Sequence, residues 1–209
     1  MNEVYTLLLS LDGPMQSWGF RSRFDYRDTA LEPTRSGVVG LICAAMGIAR
    51  GEDISRFDAI RMGVRVDRDG RTECDYHTAL DVIRADGSGT DTVVSRRDYL
   101  ADASFTVGLQ SSNKELLKDI ATALLSPTWM LFLGRKAFPL AVPPVVDPRN
   151  PIKQGKLEDH LLSGDSSKRV VLETPDGERT QHDWPLCFKE RRFKPRSIKT
   201  LFDEKGELR

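Results

Sequence analysis

Residues 33–50 constrain the fold of this 209-residue chain more than any other stretch. Thr34 and Ser36 are helix-capping residue types, and Val38, Val39, Leu41, Ile42, Ala45, Met46 and Ile48 follow at spacings that give a helix a wide apolar face for burial. The beginning of this helix is unusual. Gly37 and Gly40 lie three apart on one side of its first turn, each costing about 1 kcal/mol against alanine. A helix start offers unpaired N–H groups and a positive dipole end, and Arg35 adds a full charge there, so the pattern fits a phosphate-binding helix start. It also fits a helix whose glycines let it pack tightly on a sheet. The pattern by itself leaves both readings open.

The remaining elements follow from periodicity and turn chemistry. Residues 4–11 are an apolar run of strand length, ended by the turn signal Asp12-Gly13-Pro14. Residues 15–27 mix aromatics with arginines without a regular period, which suits base stacking and phosphate contact as well as a loop folded onto its own core. A short amphipathic piece at 53–60 leads to Met62, Val64 and Val66, which alternate as a strand. Asp69-Gly70 is a hairpin turn signal that makes the residues from Thr72 toward Val82 the partner strand. Asp86-Gly87-Ser88-Gly89-Thr90-Asp91 is a polar tip, and the chain returns through 93–100 to Phe105, Val107 and Leu109. These two arms, with little apolar alternation in their outer parts, predict a hairpin projecting beyond the sheet. Ser112 and Glu115 fit a capping box for a second helix that Pro127 stops, and residues 129–133 read as the next strand. The order strand, helix, strand, strand, helix, strand is the split βαβ arrangement, which predicts an α+β, ferredoxin-like (RRM-like) βαββαβ core.

Beyond it, residues 138–151 carry five prolines and read as an extended crossing segment. Residues 163–167 read as a loop. Residues 169–173 and 179–184 suggest a small hairpin around Asp176-Gly177, and 186–188 begin a last strand. Residues 189–199 then hold six basic residues and one acid, a tail that is a candidate anion-binding strip or a solvated charged end. The division is thus a core at 1–140 and a C-terminal β extension with a basic tail at 141–209.

Thirty-one basic and thirty-one acidic residues leave a net charge of zero, which excludes the global positive charge of a free-standing, non-specific nucleic-acid binder. With no basic n-region, no signal-type apolar run and no membrane-length segment, a cytoplasmic location is expected. Three scattered cysteines, without a C-x-x-C, predict buried, inert thiols rather than disulfides or zinc. The three histidines have no ligand spacing, and neither a G-x-S-x-G elbow nor a Walker loop exists, so neither metal nor cofactor is expected. His77, flanked by Asp75, Tyr76 and Thr78, is the one histidine in a setting compatible with acid–base chemistry on RNA, though a structural or RNA-contacting role also fits it.

Five motifs together carry a family resemblance: Leu11-Asp12-Gly13-Pro14-Met15-Gln16-Ser17-Trp18-Gly19, residues 33–48, Asp75-Tyr76-His77-Thr78, residues 97–107, and Leu133-Gly134-Arg135-Lys136 followed by Pro139-Leu140. In this order, across residues 4–140, the chain resembles the CasD-type subunits of Cascade, the type I-E CRISPR surveillance complex, within the RAMP superfamily. The resemblance implies a ferredoxin-like core with a long thumb hairpin at about 79–104. It also implies a non-catalytic CRISPR RNA-binding subunit that caps the 5′ handle and touches the backbone subunit and the large PAM-reading subunit, meeting target DNA mainly through the assembled complex. Relatives in type I-C systems cleave repeat RNA, so the alternative is a metal-independent endoribonuclease using His77 with Tyr76. Under the RNA-binding reading the expected contacts are Gln16, Ser17 and Trp18 in the first loop, and Arg35, Ser36 and Gly37 at the helix start. Tyr76, His77, Arg96, Arg97 and Tyr99 are expected on the thumb, with Arg135, Lys136, Arg191 and Arg192 beyond it, while Gly40 is left to packing.

Overall fold

The computed structural model describes residues 3–19, 25–163 and 168–201. Phe20, Arg21, Ser22, Arg23 and Phe24 of the aromatic–arginine segment, and residues 164–167 of the expected loop, lie outside the described residues. The chain runs through β1 (Tyr5–Asp12), β2 (Met15–Gln16), β3 (Tyr26–Arg27), α1 (Arg35–Met46), a 3-10 turn (Ser55–Ala59), β4 (Arg61–Arg68), β5 (Arg71–Ile83), β6 (Thr90–Ala101) and β7 (Ser104–Ser111). It continues through α2 (Lys114–Leu125), β8 (Ile152–Gln154), α3 (Leu157–Leu161), β9 (Val170–Glu173), β10 (Arg179–Cys187) and β11 (Arg192–Leu201).

Seven strands form one sheet in the order β10-β11-β9-β4-β7-β1-β8, antiparallel at every pairing. Leu7, Leu9 and Leu11 alternate along β1 and are fully buried, the period-two pattern of a strand with one core face. They share one core with Val38, Leu41 and Ile42 of α1 and with Leu117, Ile120 and Leu124 of α2. Thr34 caps α1 by accepting from the Gly37 amide, and Gly47 ends it in the left-handed conformation at φ 71°. Asn113, rather than Ser112, caps α2, accepting from the Leu116 amide.

On the opposite face, Leu157 and Leu161 of α3 pack with Val170 and Leu172 of β9. Two glycines make that approach possible. A Cβ on Gly63 would stand 2.7 Å from Leu172 Cδ2, and one on Gly108 would stand 2.3 Å from Leu157 Cδ1.

Several sequence expectations are corrected here. Residues 129–133 are not a strand: the Thr128 and Trp129 amides donate to Ala45 and Ala44 carbonyls at the end of α1, which holds the segment away from the sheet. The edge beside β1 is filled by the proline-rich segment, through Ser10 N–H to Pro144 O and Val146 N–H to Leu8 O, and then by β8. Prolines cannot donate to a ladder, so regular pairing waits until the run of prolines has passed.

The Asp69-Gly70 turn does not fold β5 back on β4. β4 pairs with β7 and β9, whereas β5, among the described residues, pairs with β6 alone, from Arg71↔Ala101 to Ile83↔Thr90. Gly70, at φ 73°, passes so close to β6 that a Cβ would stand 2.6 Å from the Ala101 carbonyl, and the chain there leaves one sheet for another. The hairpin begins at Arg71 instead of near 79, and with β2 and β3 it forms a second, four-stranded sheet.

Nor do β9 and β10 pair with each other: β11 lies between them. The basic stretch expected as a tail is therefore largely an internal strand. Cys43 is buried as expected, but Cys74 is exposed and Cys187 partly so. No helix among the described residues is long and apolar enough to cross a membrane.

Two outcomes follow from this packing. Gly63→Val forces Leu157, Leu161 and Leu172 apart and lowers stability by about 1–3 kcal/mol, read as an earlier urea midpoint. Burial pushes the Cys43 thiol up to about 11, so at pH 8 it stays protonated. A thiol reagent therefore labels Cys74 first and leaves Cys43 unmodified until the protein unfolds, which mass spectrometry of the native and urea-treated chain checks.

Candidate nucleic-acid interface

The start of α1 does meet an anion, and the protein supplies it. The Arg35 amide donates to Asp183 Oδ2 at 2.8 Å. The Arg35 side chain is 2 % exposed, with Nη1 reaching both Glu173 oxygens at 2.9 and 2.8 Å and Nη2 the Phe57 carbonyl at 2.8 Å. Its guanidinium lies 3.6 Å from the Trp184 ring centre. Arg196 completes the group, donating to Asp183 at 2.6 and 2.9 Å and to Glu173 at 3.0 Å. Two arginines thus face two carboxylates in the interior. Arg35 cannot offer its charge to an RNA phosphate, and the expectation of a backbone contact there is corrected.

A Cβ on Gly37 would stand 2.7 Å from Trp18 Cε3, so Gly37 packs closely on the indole, although with Ser36 and Gly40 it also lines an open groove; a Cβ on Gly40 would stand 3.9 Å from Phe188 Cζ. Ser36 remains partly exposed beside them.

The first loop is likewise internal. Gln16 Nε2 donates to the Leu11 and Ala103 carbonyls at 3.1 and 2.8 Å, and its Oε1 accepts from Trp18 Nε1 at 3.1 Å. Ser17 Oγ donates to the Asp98 carbonyl at 3.3 Å, and all three residues are buried. They join the two sheets and are not available to a ligand.

The accessible charge sits at the base of the thumb. Its register pairs Tyr26 with Arg96 and Arg96 with Tyr76, and on the alternate positions Arg27 with Arg97 and Arg97 with Asp75. Because directly paired residues share a face, one side carries Tyr26, Arg96 and Tyr76, and the other carries Arg27, Arg97 and Asp75. Tyr76 is 70 % exposed, and Arg96 is exposed beside it. Arg97 is half-buried, with Nε donating to Ser95 Oγ at 2.8 Å. Tyr26 donates its hydroxyl to Asp98.

Arg135 braces the second face, donating to the Asp98 carbonyl at 2.6 Å and to the Arg97 and Arg27 carbonyls at 3.4 and 3.5 Å. Its pKa is held below the usual arginine value first by burial and then by the charges of Arg97 and Arg27, against the pull of Asp75 and Asp98. Three arginines are therefore crowded together. Arg27 is not among the residues expected from sequence, because no turn or helix signal marks it; its place in the aromatic–arginine segment is the one trace of this position. Tyr99 packs on Phe138 with ring centres 5.8 Å apart, Lys136 is exposed, and Arg191 and Arg192 lie at the β10–β11 turn, where Arg192 pairs with Glu190 at 2.6 Å.

His77 Nδ1 lies 3.5 Å from Asp75 Oδ2 on the same face. Tyr76 points to the other, because neighbouring residues on a strand alternate. Among the described residues no group of three His, Cys, Asp or Glu side chains is placed to hold a metal ion.

Residues 6–200 match the model of a family described as CRISPR-associated protein (Cas_Cas5). The chain belongs to this CRISPR-associated family. It is 38 % identical over 154 residues to the CRISPR system Cascade subunit CasD of Escherichia coli (strain K12), covering 66 % of this chain and 68 % of the relative. A chain of a solved CRISPR RNA-guided surveillance complex superposes with a TM-score of 0.83 at 34 % identity, over 95 % of this chain and 90 % of that one. A second structure, solved as a Cas protein, superposes at 0.74 and 39 % identity, over 94 % of each chain.

The buried charges of this family member give a stability test. Arg35→Ala leaves Glu173 and Asp183 with one cation between them and costs about 3–5 kcal/mol by urea denaturation. Arg35→Lys recovers little of that, since an ammonium cannot span both Glu173 oxygens.

Proposed function

We propose that this chain is a non-catalytic RNA-binding subunit of a Cascade-type complex, working in the cytoplasm, where it caps the 5′ handle of the CRISPR RNA. In this reading it touches the backbone subunit and the large PAM-reading subunit, and meets target DNA through the assembled complex. The observation that carries it is the crowding of Arg27, Arg97 and Arg135 at the thumb base, on a sheet whose other face exposes Tyr76 and Arg96. Single-stranded RNA is held by such combinations of phosphate-seeking cations and flat aromatic surfaces. Membership of the family, and similarity to a Cascade subunit and to a chain of an RNA-guided surveillance complex, support the same reading.

The scaffold is read as a ferredoxin-like core: β8-β1-β7-β4 with α1 and α2 on one face, closed by β8 instead of by residues 129–133. On this reading the core runs past residue 140, and the C-terminal strands β9, β11 and β10 extend its β4 edge. The open sheet face that RRM domains use for stacking bases is covered here by α3. This directs RNA to the thumb base.

Against the endoribonuclease alternative stands the alternation that puts Tyr76 and His77 on opposite faces, so they cannot serve one phosphate as acid and base. Purified protein incubated with its own repeat RNA in EDTA leaves that RNA intact; discrete cleavage lost in His77→Ala overturns the scaffold reading. Arg27→Glu with Arg97→Glu weakens handle-RNA binding at least tenfold while the melting temperature stays near wild type. Each lost phosphate contact also flattens the salt dependence by about 0.7 in log K against log salt.

A further inference from the structure

The thumb base carries one histidine to which the contacts described above give no part. His77 stands on β5 two residues beyond Asp75, with its Nδ1 3.5 Å from Asp75 Oδ2, and the two side chains are 42 % and 49 % exposed. The face they share is otherwise basic. Asp75 is paired directly with Arg97, and Arg97 with Arg27 of β3. His77 is itself paired with Ser95, the buried hydroxyl that accepts from Arg97 Nε at 2.8 Å. Arg135, bonded to the Arg97 and Arg27 carbonyls, brings a third cation. The other charged neighbours stand further off. Asp98 accepts from the Tyr26 hydroxyl on the opposite face, which also holds Cys74, Tyr76 and Arg96. Glu73 lies one repeat beyond Asp75, opposite Tyr99, and Asp25 and Asp28 flank β3.

Histidine is the side chain whose ordinary titration falls between about pH 5 and 8. While His77 is neutral, Asp75 subtracts its charge from the field of the arginine it opposes. Once His77 is protonated, its ring N–H donates to Asp75, so that acid is matched by a cation on its own strand and the face becomes more positive by one charge. A polyanion binds the more positive state more tightly. By reciprocity, a bound polyanion holds the proton on His77. The acid that His77 meets is the one set across the ladder from Arg97, so the proton acts on the same cation that the RNA-binding reading gives to phosphate.

We infer that His77 and Asp75 form a proton-linked control on RNA binding at the thumb base: protonation of His77 strengthens the hold of Arg27, Arg97 and Arg135 on phosphate, and deprotonation as the pH rises weakens it. This rests on the RNA-binding reading above and adds regulation to the same site. It also gives the histidine of the Asp75-Tyr76-His77-Thr78 motif a part that involves no bond cleavage. A phosphodiester keeps its charge throughout this pH range, so the step belongs to the protein.

The test measures binding of the full chain to a single-stranded RNA carrying the 5′-handle sequence of its own CRISPR repeat, at low ionic strength, with a melting curve at each pH. Wild type binds about fivefold more tightly at about pH 6 than at about pH 8, the scale of one partly exposed ion pair. His77→Gln keeps the weaker affinity at both pH values, and His77→Lys, charged at both, keeps the tighter one. The chain has three histidines, and the ring resonance missing from His77→Gln identifies His77 by NMR. Its titration midpoint moves to higher pH when the RNA is bound. Equal wild-type affinity at the two pH values, or the same pH step in wild type and His77→Gln, overturns the control and leaves the RNA reading standing. His77→Lys binding no more tightly than His77→Gln at about pH 8 also overturns it, because the ring then acts through its shape and not its charge. If the wild-type chain and its complex bind no handle RNA at either pH, both readings fall.

Discussion

The interior ion cluster of Arg35, Arg196, Glu173 and Asp183 is the constraint on which the rest of this structure depends. Removing charges from water costs several kcal/mol per ion, and the attraction between them offsets that only when geometry and hydrogen bonding are nearly complete. Here they are: Glu173 accepts from Arg35, Arg196 and the Met62 amide, while Asp183 accepts from Arg196 and the Arg35 amide. The cluster joins the first turn of α1 to β9, β10 and β11, three strands from the far end of the chain. It thereby sets the direction in which α1 lies on the sheet and the side of α1 that remains open.

A second junction, neutral in its core, orients the thumb. Gln16 ties the end of β1 to Ala103 at the start of β7, and it also fixes Trp18, whose ring lies on Gly37. Arg135 holds three carbonyls of the thumb base, and Gly134 rests on Ser17. Several of the motifs that carry the family resemblance are therefore joints between the two sheets. Their residues keep the accessible ones, Arg27, Arg96, Arg97 and Tyr76, in a stable relation to one another. On the proposed RNA-binding reading, the surface needs that relation more than it needs any one contact, because phosphate and base contacts work together only if their spacing is kept.

What could be read along the chain was the set of elements with strong local signals. β1 was visible in its apolar run, α1 in its spacing and cap, α2 in its periodicity, and the thumb in its two arms and glycine-rich tip. Partnership between strands was not visible. Asp69-Gly70 has the chemistry of a hairpin turn, yet β4 finds β7 and β9, because burying its Met62, Val64 and Val66 on both sides in the large sheet is worth more than a local hairpin. Residues 129–133 are apolar enough for a strand but are bound to the end of α1, and their exposed aromatics make a groove instead of a core.

The sequence by itself determined that a helix begins at a capped, glycine-marked, arginine-bearing turn, that aromatics and arginines gather before it, and that a long hairpin follows. Those are local facts, decided by backbone conformation and side-chain type. Which anion meets Arg35 was decided by tertiary structure alone, since Glu173 and Asp183 are more than a hundred residues away in the chain and no spacing rule links them. Packing likewise decides the part of Gly37: beside solvent a glycine there would admit a phosphate, and against Trp18 it admits an indole. A charge or a glycine in a sequence announces that something will approach closely; only the packed structure, by excluding water from one side and leaving the other open, settles what that is.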